Sequence, residues 1–154
     1  MSAVQDIVED LVDLQVADRE SRSPAVKERL RRLTERRVRS HRGITKAEAA
    51  RMLDVSVNTL DKWIARGRVA VVHDEDSGRT LVAIVPFARV LREVREVRAR
   101  GQADGVLAAA ITRLEHEDPE YQYDFAALYG ASLRAAVDDR LKPLSLPHGF
   151  GPDD

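Results

Sequence analysis

Residues 44–67, ITKAEAARMLDVSVNTLDKWIARG, decide the reading of the fold. Two short helices that meet at a sharp turn need small residues where they cross and apolar residues at fixed offsets. Ala49 and Ala50 are small at the crossing, Leu53 closes the first helix, and Val55 plugs the turn. Leu60, Trp63 and Ile64 then anchor the second helix at helical spacing. The ends carry matching signals. Thr45 with Glu48 three positions later is a capping box, Ser56 is an N-cap for the second helix, and Gly67 is placed to end it. An ordinary amphipathic helix pair in a bundle would share the caps and the periodicity. The two-alanine crossing, the short turn and the Trp anchor together favour the helix-turn-helix.

Outward on the second helix lie Asn58, Asp61, Lys62, Ala65 and Arg66. Such a mixed-donor face suits base-pair edges in a major groove. Beyond Gly67, Val69 to His73 and Thr80 to Val85 are β-branched runs separated by the polar turn Asp74 to Gly78. Pro86 pre-sets the first turn of another helix, in which Phe87, Val90, Leu91, Val94 and Val97 keep helical spacing.

In SVNTLDKWIARGRV and GRTLVAIVPFARVLREV the chain resembles the winged helix-turn-helix of the MerR and excisionase superfamily, over roughly residues 43–100. The resemblance implies a second helix in the major groove and a wing near the neighbouring minor groove. Carried across, Ser56, Asn58, Thr59 and Lys62 fall on the recognition helix, and Arg79 beside Gly78 falls on the wing tip. The chain also departs from the family. Val57 and Asn58 stand where members often carry arginine, and a 43-residue extension precedes the module, so inducer or metal sensing is not implied.

The flanks read as helical arms. Val4, Ile7, Leu11 and Leu14 share one face of a first helix, and after Ser23 and Pro24 as cap and first turn, Val26, Leu30 and Leu33 line a second. Two heptads make a marginal coiled coil, so packing against another surface is expected. After Gly101 and Gly105, Val106, Ala110, Ile111 and Leu114 mark a further helix. Asp118 and Pro119 cap the last, with a stripe of Phe125, Leu128, Tyr129, Leu133, Val137 and Leu141. The expected fold is mainly α: a winged helix-turn-helix at 43–100, an N-terminal helical arm at 1–42, an acidic C-terminal helical hairpin at 101–142 and a loose tail at 143–154.

The net charge of −1 hides segregation: −5 over residues 1–18, +7 over 19–43, +3 over 44–101 and −6 over 102–154. A basic middle between acidic ends suits a polyanion binder with separate partner surfaces. The run Lys27, Arg29, Arg31, Arg32, Arg36, Arg37, Arg39 reads either as a solvated face or as a phosphate contact, and its lead into the helix-turn-helix favours the latter. With 33% charged and 44% hydrophobic residues, no cysteine and no long apolar run, a cytoplasmic, nucleoid-associated protein is expected.

Catalysis is poorly supported. His116, Glu117, Asp118, Glu120 and Asp124 cluster where acids favour the start of a next helix, and no phosphate-cradling loop, nucleophile elbow or paired-His spacing occurs. No cofactor and no metal is expected. The expectation is a sequence-specific double-stranded DNA-binding transcriptional regulator, a dimeric repressor. Asn58, Thr59 and Lys62, with Ser56, would read bases, while Arg42, Thr45, Lys46, Arg66, Arg68 and Arg79 would hold phosphates. An antitoxin-like version adds a basic protein partner on Phe125, Leu128, Leu133 and Val137. Two other classes stand beside it: an architectural DNA-binding protein of excisionase or phage small-terminase type, and a helix-turn-helix used for protein contact only.

Overall fold

The computed structural model describes residues 3–39, 41–119 and 121. The chain is mainly α, with six helices and a small antiparallel sheet among the described residues. Helix α1 (Ala3–Glu20) turns at Ser21 to Ser23 into α2 (Pro24–Val38). Ser23 caps α2 by accepting from the Val26 N–H, and Pro24 occupies the first position, where its missing N–H costs nothing. The short strand β1 (Gly43–Ile44) leads into α3 (Lys46–Leu53) and α4 (Val57–Ala65). Strands β2 (Val71–Asp74) and β3 (Arg79–Ala83) follow, then α5 (Ile84–Ala99) and α6 (Val106–Glu117).

Helix α5 is the axis of the core. The spacing of Phe87, Val90, Leu91, Val94 and Val97 predicts one buried face, but from Pro86 to Val94 every residue is buried. Three elements account for it. Helix α1 covers α5 with Ile7, Val8, Leu11 and Val12; α6 covers it with Val106, Leu107, Ala110, Ile111 and Leu114; and α3 closes the remaining side. The apolar stripe of α1 is thus spent inside the chain. Likewise α6 pairs with α5, whereas the sequence pairs it with a later helix that lies outside the described residues. By contrast α2 has no fully buried residue; Leu30 and Val38 are half-buried, Val26 and Leu33 remain exposed, and ion pairs Lys27–Asp18 and Arg37–Asp10 help hold it to α1.

The sheet runs β1-β3-β2. The hairpin is predicted, but its strands are shorter than the β-branched runs: Val85 belongs to α5, and Val69 and Ala70 are buried ahead of β2. Strand β1 escapes a sequence reading because two residues carry no period. It needs Gly43, where an added Cβ would lie 2.7 Å from Leu81 Cβ and 2.9 Å from the Val82 carbonyl.

Burying α5 all round takes Arg89, Arg92 and Glu93 out of water. Asp118 answers both arginines, with its Oδ2 2.9 Å from Arg92 Nη2 and 3.8 Å from Arg89 Nη1. Gln15 adds an acceptor 3.5 Å from Arg92 Nη1 and donates to the Val85 carbonyl. Glu93 is served less well. Arg113 Nε lies 3.0 Å from its Oε1, yet that oxygen forms no hydrogen bond among the described residues. Burial, then the nearby Glu96, hold the Glu93 carboxyl above its ordinary range against the pull of Arg113, Arg92 and Arg19. A carboxyl raised on folding costs stability once the pH passes its unfolded value, and the cost is complete above the folded value. Glu93→Gln should therefore gain on the wild type as pH rises from 4 to 7. Urea midpoints at both pH values check this, and a variant that loses ground with rising pH would contradict it. Glu9 has the opposite sign, since its hydrogen bonds from Arg95 lower its carboxyl and stabilise above the ordinary carboxylate range.

Candidate functional site

The α3–α4 pair is built by local chemistry. The Thr45 hydroxyl accepts from the Glu48 N–H at 3.1 Å, which supplies the threonine half of the capping box. Asp54 ends α3 in the left-handed region at φ 58°, a conformation its short polar side chain tolerates, and Val55 N–H donates to the Ala50 carbonyl. Ser56 opens α4 by accepting from the Thr59 N–H at 3.1 Å. Ala49, Ala50, Leu53, Leu60 and Trp63 are buried as their spacing predicts, with Val55 and Ile64 partly so.

One face of α4 stays in water. Asn58, Lys62 and Ala65 are exposed along it, with Asp61 half-buried at its edge. The apolar Val57 is 40% exposed on the first turn, a feature the sequence reading left out. A bare branched side chain there has the chemistry to meet a thymine methyl. Ser56 and Thr59 are less available. Their hydroxyls lie 2.9 Å apart and bond each other, so either must re-orient to meet a base.

The residues expected to hold phosphates divide into three groups. Thr45, Lys46 and Arg79 come together with Ala47 and Thr80 around an open concavity of about 460 Å³, where the start of α3 meets the start of β3. Lys46 also reaches Asp61 on α4 at 2.9 Å, an ion pair that ties α3 to the exposed face and that a phosphate would have to displace. Arg66 lies over the Trp63 ring, 5.3 Å from its centroid. Arg68 lies 4.8 Å from the same ring, bonds Glu115 on α6 through Nε and Nη2, and has its carbonyl bonded by the Tyr121 hydroxyl at 2.7 Å. This clamp ties the segment after α4 to α6, and a phosphate would have to displace Glu115 to engage Arg68. Arg42 lines a separate groove of about 1040 Å³ between the end of α2 and the hairpin.

The hairpin turn is acidic. Asp74, Glu75 and Asp76 follow one another, and Asp74 accepts from Ser77 Oγ at 2.6 Å, the main reason its carboxyl is held below the ordinary range. Negative charge at this tip opposes insertion between phosphates, so Arg79 and Thr80 at the start of β3 are the better-placed groups.

Phe125, Leu128, Leu133 and Val137 lie outside the described residues. Of the acidic cluster at the end of α6, Asp118 serves the buried arginines. No group of His, Cys, Asp or Glu among the described residues is placed to hold a metal ion, and no described helix is long and apolar enough to cross a membrane. No family model, curated protein or solved structure matches the chain.

Proposed function

We propose that residues 43–100 act as a winged helix-turn-helix that binds double-stranded DNA, and that the protein is a transcriptional regulator of repressor type. The observation that carries this is the face of α4, where Asn58 and Lys62 stand exposed beside the concavity that groups Thr45, Lys46 and Arg79. Donors and acceptors on an unpacked helix face, flanked by cations, suit a helix lying in a major groove. Val57 and Ala65 extend the same surface with apolar contact. Phosphates fall to Lys46, released from Asp61, and to Arg79, with Arg66 and Arg42 further out. A single module of this size buries little DNA, which favours a dimer. Because the stripe of α1 is buried against α5, dimer contacts must use another surface.

Asn58→Ala and Lys62→Ala should each cost about 1–3 kcal/mol at a selected site and little on random duplex. Titration of both duplexes by fluorescence anisotropy separates the outcomes. Equal losses on the two DNAs would reduce these residues to backbone contacts.

A further inference from the structure

Helix α2 carries a charge pattern that packing does not explain. Its half-buried positions are Lys27, Glu28, Leu30, Thr34 and Val38, and all but Glu28 recur at intervals of three and four and form one face. Arg29, Arg32, Arg36 and Arg39 recur at three, four and three, and all four are exposed. At 100° per residue, this second set points almost directly away from the first. Arg32 meets Glu28 at 3.6 Å, whereas Arg29, Arg36 and Arg39 have no ion pair among the described residues. Like charges at these spacings destabilise a helix by about 0.2–0.5 kcal/mol per pair, and α2 buries no residue that would offset it. Apart from the exposed Arg32–Glu28 pair, the arrangement costs folding and returns nothing to it. What would repay it is an extended anion.

We infer that α2 is a second DNA-contacting element, which lays its arginine stripe along the phosphate backbone outside the site read by α4. The inference rests on the duplex-binding proposal above. From Arg29 to Arg39 the stripe runs about 15 Å along the helix axis, enough to follow several phosphates, whose charges repeat every ~3.4 Å on each strand. Guanidinium groups suit phosphate oxygens because their donors form a planar fork. The stripe is also continuous with the site, since Arg39 and Arg42 both line the groove at the end of α2 and the chain then passes through β1 to Thr45 and Lys46. That groove itself is not the seat. Asp74, Glu75 and Asp76 form its opposite wall and would repel a backbone, so the DNA lies on the outer face of α2.

The test compares the full-length wild type with Arg29→Gln/Arg32→Gln/Arg36→Gln/Arg39→Gln, its all-lysine counterpart, and the single changes Arg29→Gln and Arg36→Gln. Each binds a 30-base-pair random duplex and a selected site over a range of salt. Each phosphate contact contributes about 0.9 to the slope of log affinity against log salt. The glutamine variant should have a slope shallower by about 2–4 and should lose at least tenfold in affinity at 0.1 M salt, equally on both duplexes. The lysine variant should keep the slope, and each single change should lower it by about 0.9. The glutamine variant should melt at or slightly above the wild type, because the side chains are exposed and the like-charge pairs are gone. An unchanged slope in variants that still bind duplex overturns the inference and leaves the reading of α4 intact. If sedimentation shows altered self-association while the slope stays fixed, α2 is a protein contact and the inference fails. If the wild type binds no duplex at all, both fall together.

Discussion

Replacing Asp118 by alanine should lower the unfolding free energy by about 3–5 kcal/mol, the cost of leaving a buried charge unpaired. The Asp118, Arg89 and Arg92 side chains are only 15%, 9% and 4% exposed, so water cannot take the carboxylate's place. Desolvation already works against the Arg92 charge, and the hydrogen bond that Arg92 donates to Asp118 is the main force restoring it. Arg92 Nε is buried without a hydrogen-bond partner among the described residues, so the site has no slack to absorb the loss. Asp118→Asn keeps an acceptor but not the charge and should fall between the two. Urea unfolding followed by circular dichroism gives the difference. A loss below 1 kcal/mol would mean that the arginines find other partners, and the ionic core would be misread.

The second large effect falls on Trp63. It is 9% exposed, packs the underside of α4, and carries Arg66 and Arg68 over its ring. Truncating a buried tryptophan typically costs about 3–5 kcal/mol. Each cation over the ring adds about 0.5–1 kcal/mol where it is partly exposed. Trp63→Ala should therefore destabilise by at least 3 kcal/mol and loosen α4 first, while Trp63→Phe should recover most of the stability. Because Trp63 is the single tryptophan of the chain, loss of α4 packing in other variants can be read from its fluorescence. A Trp63→Ala protein within 1 kcal/mol of the wild type would show that α4 is held by something other than this anchor.

How far the sequence discloses these features follows the range of the interactions. The caps at Thr45, Ser23 and Ser56 and the anchors Leu60 and Trp63 are legible because each depends on neighbours within a turn or two. The stripes of α1 and α6 are legible as stripes, but not what they cover. Their common partner, α5, is far from α1 in sequence, as the Gln15–Val85 hydrogen bond across 70 residues shows. The buried charges of α5 are hidden for the same reason, since one apolar face predicts an exposed opposite face unless two other helices arrive to cover it. Arg68 shows this in the site. Next to the exposed end of α4 it resembles a phosphate ligand, and only the arrival of Glu115, 47 residues on, turns it into a clamp. Asn58, Lys62 and Ala65 on the exposed face of α4 are legible, because that face is defined by the anchors opposite it, whereas the exposed Val57 is not. Gly43 is silent in the sequence, as close approach of another strand leaves no local pattern.

The most direct measurement of the central proposal is selection of the intact protein on a pool of random duplexes, followed by affinity measurements from 50 to 300 mM salt. If α4 reads base edges and the surrounding cations hold phosphates, one site should be enriched, its affinity should fall steeply and linearly in log salt, and Asn58→Ala should weaken the enrichment while leaving random-duplex binding in place. Retention of no duplex, or a flat salt response with no enriched site, would contradict the proposal and leave the α3–α4 face as a surface for protein contact.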